Sequence, residues 1–418
     1  MTSKNISVNK EKSVLSQKGS KSSYYMELEA NYGAHNYQPL EVVLSKSEGI
    51  WVYDVDGNKY MDCLSAYSAV NQGHRHPKIV EAAKIQLESL TLTSRAFYND
   101  KLGLFLKKLC EISDMEVALP MNTGAEAVET GIKIARRWGY KVRKVPDNKA
   151  EIIVCENNFH GRTTTIIGFS SDKNTVEGFG PFTPGFVRIP FNNVKKLEES
   201  ITENTIAFLV EPIQGEAGVI VPSDGYLKKI REICTKHNIL LILDEIQTGF
   251  CRTGKMFAFM HENIKPDILL VGKALGGGII PVSAALSNKT IMAPITPGSH
   301  GSTFGGNPLA CAVGEAAIDV LINEKLDERS AELGKFFKDG LIKINNPLIK
   351  EVRGKGLLIA IELKKEAGNA HEYVVKLKNK GILAKETHEQ TIRFAPPLII
   401  SKDEISWAIK IIKEVLTK

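Results

Sequence analysis

Apolar residues fall into two kinds of run along this chain. Between positions 116 and 285, short blocks of unbroken apolar character recur: Val117-Ala118-Leu119, Ile152-Ile153-Val154-Cys155, 206–210, 240–243, 268–271 and 282–286. Between several of them, at 125–138 and 225–237, apolar positions instead recur three and four apart, the spacing of an amphipathic helix. A strand that is apolar at every position has to be covered on both faces. Such strands alternating with helices predict an α/β fold with a large doubly wound, mostly parallel sheet.

The flanks read differently. Ile50-Trp51-Val52-Tyr53, Asp56-Gly57 and Lys59-Tyr60-Met61 predict a hairpin within 49–65, because Asp-Gly is a favoured two-residue turn. Residues 77–90 have helical spacing. After Pro308 a helical stretch to about 344, a strand over 356–363, another near 391–394 and helices at 369–380 and 402–417 predict a smaller α+β unit. The expected division is a flexible tail over 1–22, an N-terminal segment with the hairpin over 23–66, a large domain over 67–310 and a small C-terminal domain over 311–418.

Composition narrows the function classes. The chain has 418 residues, 43% hydrophobic and 24% charged, which excludes a wholly disordered or fibrous protein. Its formal net charge of +6 is small for this length; it argues for no nucleic acid and suits an anionic small molecule as well. Aliphatic runs such as Ile239-Leu240-Leu241-Ile242-Leu243 fall far short of the roughly 20 residues of a membrane span. The six cysteines are scattered with no C-x-x-C pair, as expected in a reducing compartment. Residues 1–22 hold five Lys, six Ser and no Arg, so neither a secretory core nor an Arg-rich leader is expected there. The expected location is the cytoplasm, with the mitochondrial matrix as the alternative.

Four segments could carry chemistry. In Ile239-Leu-Leu-Ile-Leu-Asp244-Glu245-Ile-Gln247-Thr248-Gly249, a strand ends in a carboxylate where an open α/β sheet meets its ligands; an ordinary loop cap would look the same. In Asp267-Ile-Leu-Leu-Val-Gly272-Lys273-Ala-Leu-Gly-Gly-Gly, a lysine follows a strand among glycines. Positions 267 and 274 are Asp and Ala, not the Gly and Ser/Thr of a phosphate-binding P-loop. An imine-forming nucleophile of lowered pKa and a plain loop lysine both fit. Asn122-Thr123-Gly124-Ala125 reads as a turn opening a helix, able to receive a phosphate or merely to cap. Gly301-Ser302-Thr303-Phe304-Gly305-Gly306 is a hydroxyl-bearing loop ahead of another helix. His74-Arg75-His76 has no acidic or Cys partner at ligand spacing, so no metal is expected.

Taken together, D-E-x-Q-T-G-x-x-R-T-G followed by G-K-x-x-G-G-G resembles the class III aminotransferases, fold-type I enzymes dependent on pyridoxal 5′-phosphate (PLP). The resemblance covers roughly residues 24–418. It implies that Lys273 carries PLP and shuttles a proton, and that Asp244 pairs with its ring nitrogen. Gln247 would lie near its phenolic oxygen and Phe159 would stack on its ring. Gly124 and Ala125 would hold the phosphate, with Ser302 and Thr303 reaching it from a second subunit, so a homodimer with shared active sites is implied.

Two stretches, 31–39 and 64–74, resemble the branch of this family that acts on ornithine. Carried over, Tyr37 and Arg162 would hold the α-amino and α-carboxylate end, and Tyr67 would line the channel. The distal amine is then the one presented. Arg393 would receive the second carboxylate of 2-oxoglutarate and Glu216 would neutralise it during the ornithine half, although a permanent salt bridge is the plain alternative. N-acetylornithine and 4-aminobutyrate are the rival amines, and Tyr37 is the residue that discriminates among them. A catalytically silent binding protein of the same fold would not need Lys273, Asp244 and Arg162.

Overall fold

A computed structural model describes residues 20–417. Most of the expected tail, 1–19, lies outside the described residues. Its last two positions already belong to a helix, Lys21–Tyr32, whose start is capped by Ser20 Oγ accepting from the Ser23 N–H.

Among the described residues, fifteen strands fall into three sheets. The N-terminal hairpin is β2 (Trp51–Asp54) and β3 (Lys59–Asp62), flanked by β1 (Leu44–Glu48). The central sheet holds β4 (Val117–Met121), β5 (Glu151–Cys155), β6 (Phe186–Ile189), β7 (Thr205–Val210), β8 (Leu240–Asp244), β9 (Ile268–Val271) and β10 (Ser283–Ser287). The C-terminal sheet holds β11 (Ile349–Lys355), β12 (Leu358–Leu363), β14 (Lys385–Thr387) and β15 (Thr391–Phe394). The remaining strand, β13 (Ile382–Leu383), leaves that sheet and pairs in parallel with β3.

In the central sheet the order is β4-β10-β9-β8-β7-β5-β6, and every pairing is parallel except those of β10 with β4 and β9. All residues of β7, β8 and β9 are buried, and successive side chains face opposite layers. Ile152, Val154, Leu209 and Ile242 pack with Val128 and Ile132 of the helix Gly124–Trp138. Ile153, Phe208, Leu241 and Leu243 pack on the other face with Ile230 of Tyr226–Lys236 and Leu321 of Pro308–Asn323. Truncating any one of these to Ala would cost roughly 2–5 kcal/mol.

Several sequence expectations need correction. The helix after Pro308 does not run unbroken to 344. It divides into Pro308–Asn323 and Leu326–Ile342 at Lys325, whose φ of 51° lies in the left-handed region. The helix predicted over 77–90 ends at Leu87. β6 and β11 carry Arg188 and Lys350, Glu351 and Arg353 among their residues, which hides them from an apolar-run criterion. The four-residue turn at Ser65–Ser68 was not anticipated at all.

Candidate active site

The C-terminal ends of β7 and β8 place two carboxylates side by side. Asp244 ends β8 and Glu211 follows β7, and the pairing of Val210 with Leu243 sets them in adjacent register. His160 Nδ1 lies 2.6 Å from Asp244 Oδ2, with both residues buried. Asp244 Oδ1 accepts from the Ile246 N–H at 3.1 Å, and Glu211 Oε2 from the Phe159 N–H at 3.1 Å. Burial opposes charge on His160, yet its bond to Asp244 and the anions around it hold its pKa above the ordinary value. Burial pushes Glu211 up to about 8, against the pull of His160 and aided by the charge of Asp244.

Lys273 leaves β9 through Gly272 and sits with φ 46°, left-handed for a non-glycine residue. Such backbone in a sheet-end lysine is strain of the kind held at functional sites. Burial pushes its amine below the ordinary lysine value, while Glu216 works against that and Arg393 adds to it. Lys273, Asp244, His160, Phe159, Gln247, Gly124 and Ala125 line one cavity of about 220 Å³.

The helix start at that cavity is built to leave donors free. Thr123 Oγ1 accepts from the Glu126 N–H at 3.2 Å, and the Glu126 carboxylate takes the Thr123 N–H at 2.7 Å and the Asn122 N–H at 3.1 Å. The first helical N–H groups, those of Gly124 and Ala125, have no partner within the helix. They carry the positive end of its dipole. Across the cavity, Gln247 Nε2 donates to Glu216 Oε1 at 3.0 Å and its Oε1 is buried without a partner. A Cβ on Gly215 would lie 1.5 Å from that oxygen, so a larger residue there would displace the Gln247 amide from this position.

A second cavity, about 640 Å³, opens outward past Phe159, Arg162, Tyr67, Glu216 and Arg393. Arg393 comes from β15, is 1% exposed, and bonds Glu216 Oε1 through Nη1 at 2.7 Å. Its Nε and Nη2 have no partner. Burial pushes Glu216 up, but Arg393, Lys273 and the hydrogen bonds it receives leave its pKa below the ordinary value. The Arg393 guanidinium lies 5.2 Å from the Tyr67 ring centre, and Arg162 lies 5.8 Å from that of Phe159.

Tyr67 stands on a turn in which Ser65, Ala66, Tyr67 and Ser68 have φ of 50°, 46°, 60° and 73°. Left-handed backbone costs an L-residue roughly 1–2 kcal/mol, so four in succession need external support. The buried carboxylate of Asp62 supplies it, accepting from the Leu64 and Ser65 N–H groups at 2.8 Å each and meeting His74 Nε2 at 2.7 Å.

Not every expected residue joins these cavities. Tyr37 is 78% exposed and lines neither. Ser302 meets its own chain's Asn122, whose Nδ2 donates to it at 2.9 Å, and neither Ser302 nor Thr303 lines the inner cavity. His74 and His76 pair with Asp62 and Glu324, and the described residues contain no group of three or more side chains that could hold a metal. Neither His160 nor Glu211 is among the site residues expected from the sequence. Applying the strand-end argument to Val210-Glu211, as to Leu243-Asp244, would have found the second. His160 had no comparable signal, because only the fold brings it to Asp244.

The inner cavity fits PLP. Its carboxylate lies deep in the sheet, its lysine beside it, its aromatic face at Phe159 and its free N–H groups at the helix start. The buried, unpartnered His160 Nε2 and Gln247 Oε1 mark polar surface that protein groups alone leave unsatisfied.

Comparison with known proteins agrees with this geometry. Residues 32–416 match the family described as Aminotransferase class-III. The chain is 59% identical to an ornithine aminotransferase of Brevibacillus brevis, covering 95% of this chain and 99% of that protein. The solved ornithine aminotransferase of Toxoplasma gondii ME49 superposes with a TM-score of 0.94 at 45% identity, over 96% of each chain. An acetylornithine aminotransferase from Elizabethkingia anophelis gives 0.86 at 51% identity, over 96% of this chain and 100% of that one. The chain therefore belongs to the class III aminotransferases, fold-type I enzymes that depend on pyridoxal 5′-phosphate.

Proposed function

We propose that this enzyme is an ornithine δ-aminotransferase. It converts L-ornithine and 2-oxoglutarate into L-glutamate 5-semialdehyde and L-glutamate in two half-reactions, and the semialdehyde then cyclises to pyrroline-5-carboxylate. The observation that carries the reading is Arg393: a buried guanidinium on the cavity wall, covered by one carboxylate and left with two unpartnered nitrogens. That is a site for a carboxylate, closed by Glu216 when the substrate brings none to it. The ornithine aminotransferases of Brevibacillus brevis and Oceanobacillus iheyensis, 59% and 58% identical to this chain, support the amine.

PLP, when bound, supplies an electrophilic aldehyde and an electron-accepting ring. Asp244, oriented by His160, would hold the proton on the ring nitrogen, with Phe159 over one face and Gln247 near the phenolic oxygen. Gly124 and Ala125 would hold the phosphate. The Lys273 amine, its pKa lowered by burial, would take the proton from the δ-carbon of ornithine. Arg162 and Tyr37 would hold the α-carboxylate and α-amine, with Tyr67 beside them, so that only the distal amine reaches the reacting end.

A homodimer completes this proposal, with Ser302 and Thr303 reaching the partner's phosphate. Phe97, Tyr98 and Phe304, at 72%, 101% and 55% exposure, are apolar surface that a second copy would cover. The same reading assigns 67–310 to cofactor binding and 311–418 to a smaller domain bearing Arg393. No helix among the described residues is long and apolar enough to cross a membrane, and the bacterial relatives favour the cytoplasm.

The second reading, N-acetylornithine as amine, is favoured by the 51% identity to the Elizabethkingia anophelis enzyme and by the exposure of Tyr37. An assay offering ornithine, N-acetylornithine and 4-aminobutyrate with 2-oxoglutarate, trapping pyrroline-5-carboxylate, decides between them. Preference for either rival amine would overturn the ornithine reading. For the switch itself, Glu216→Ala should leave 2-oxoglutarate usable and slow the ornithine half about tenfold, because the uncovered guanidinium competes for the α-carboxylate.

A further inference from the structure

The geometry points to Asp62 as a positioning residue for the oxo-acid half of the reaction, acting through the left-handed turn that carries Tyr67. This rests on the reading of Arg393 as the carboxylate site. The turn contains no glycine, asparagine or aspartate, the residues that enter left-handed backbone at little cost. The N–H groups of Leu64, just before it, and of Ser65, its first residue, end on Asp62 Oδ1, and Asp62 Oδ2 is fixed by His74, whose backbone is bridged to Gly49.

Three consequences of the turn reach the site. The Tyr67 ring is set 5.2 Å from the Arg393 guanidinium, on the side where Glu216 and an incoming carboxylate would exchange. The Tyr67 carbonyl lies 3.4 Å from Gln247 Nε2, the same nitrogen that bonds Glu216. Downstream, Gln72 Nε2 donates to the carbonyl of Ala274, the residue after Lys273. Asp62 touches none of the reacting groups, yet it fixes the backbone that spaces Tyr67 from the Glu216–Arg393 pair. Releasing it lets the turn relax toward right-handed backbone and swings Tyr67 away from Arg393.

The test uses the holoenzyme carrying Asp62→Ala, Asp62→Glu, and each combined with Ala66→Gly. Asp62→Glu keeps the charge but moves the acceptor by one methylene, and serves if the alanine variant does not fold. We expect KM for 2-oxoglutarate to rise on the order of tenfold, with the single-turnover rate on ornithine falling by a smaller factor, because Arg162 and Tyr37, which would hold its α-end, lie outside the turn. Binding of glutarate, a five-carbon dicarboxylate with no oxo group, should weaken by the same factor in titration calorimetry. Ala66→Gly should restore most of the loss, because glycine holds the turn without the clamp. An unchanged KM and glutarate affinity in both variants would sink the inference, as would equal losses in the two half-reactions that glycine does not relieve. If the unsubstituted enzyme shows no turnover of ornithine with 2-oxoglutarate, the underlying functional reading fails instead.

Discussion

Two arginines are fully buried, and they are buried in opposite ways. Arg252, from the loop after β8, spends its donors on oxygen atoms of neighbouring segments: Asn71 Oδ1 from Nε, at 3.2 Å, and from Nη2, and the carbonyls of Leu357 and Pro396 from Nη1 at 3.0 and 2.7 Å. Among the described residues no carboxylate forms an ion pair with it, and burial works against its charge. Arg393 has one strong partner, Glu216, and two nitrogens with none. A guanidinium whose every nitrogen meets a fixed oxygen joins three stretches of chain and leaves little to offer a ligand. One left unsaturated at a cavity wall costs stability and can exchange partners. Burial alone therefore does not distinguish structural from binding arginines; the count of unmet donors does.

The sharpest way to break that contrast is Arg252→Ala. It would strip three buried oxygens of their donor and open a cavity where the N-terminal segment, the loop after β8 and the C-terminal sheet meet. A loss of roughly 3–5 kcal/mol is expected in urea unfolding, with much of the protein insoluble. If Arg252→Ala folded normally and lost only oxo-acid affinity, the two arginines would not differ as described. Next in size is Arg393→Lys. The fold should survive, while KM for 2-oxoglutarate rises about a hundredfold through loss of a forked, charge-assisted contact. The ornithine half, followed by the cofactor's absorbance, should change far less.

The smallest effect concerns Glu211, a buried acid whose Oε2 accepts from the Phe159 N–H. It stays protonated in the native state up to about pH 8 but ionises near 4.5 when the chain unfolds. The native state thus holds the extra proton between those values, and stability should fall as pH rises through that window. Glu211→Gln should flatten this slope, read as urea midpoints at about pH 5 and about pH 8. A slope of unchanged steepness would assign the effect to other groups.

These side chains also show what the amino-acid order discloses. Asp244, Lys273 and Gly124 announce themselves because each follows an apolar run or opens a helix, and local pattern suffices to place them. Arg393 and Glu216 came from resemblance, since neither is marked by its neighbours in the chain. His160 and the Asp62-held turn escaped entirely. Their positions depend on contacts between distant segments, and left-handed backbone at Ser65-Ala66-Tyr67-Ser68 has no residue type to advertise it. β6 and β11 escaped for another reason: charged residues interrupt strands that are covered less completely than β7 and β8.

The pairing of β3 with β13 sets Ile382 against Met61 and Leu383 against Asp62, residues far apart along the chain. Alongside it, the Ala395 N–H reaches the carbonyl of Cys63 and the Leu398 N–H that of Asn71. During synthesis, the hairpin's open edge waits until β13 has left the ribosome before it finds its neighbour. Until then that edge is a bare strand margin, prone to pair with another nascent chain. A chain that stopped before Ile382 would therefore leave the strand that carries Asp62 without its neighbour, and with it the clamp on the turn that bears Tyr67.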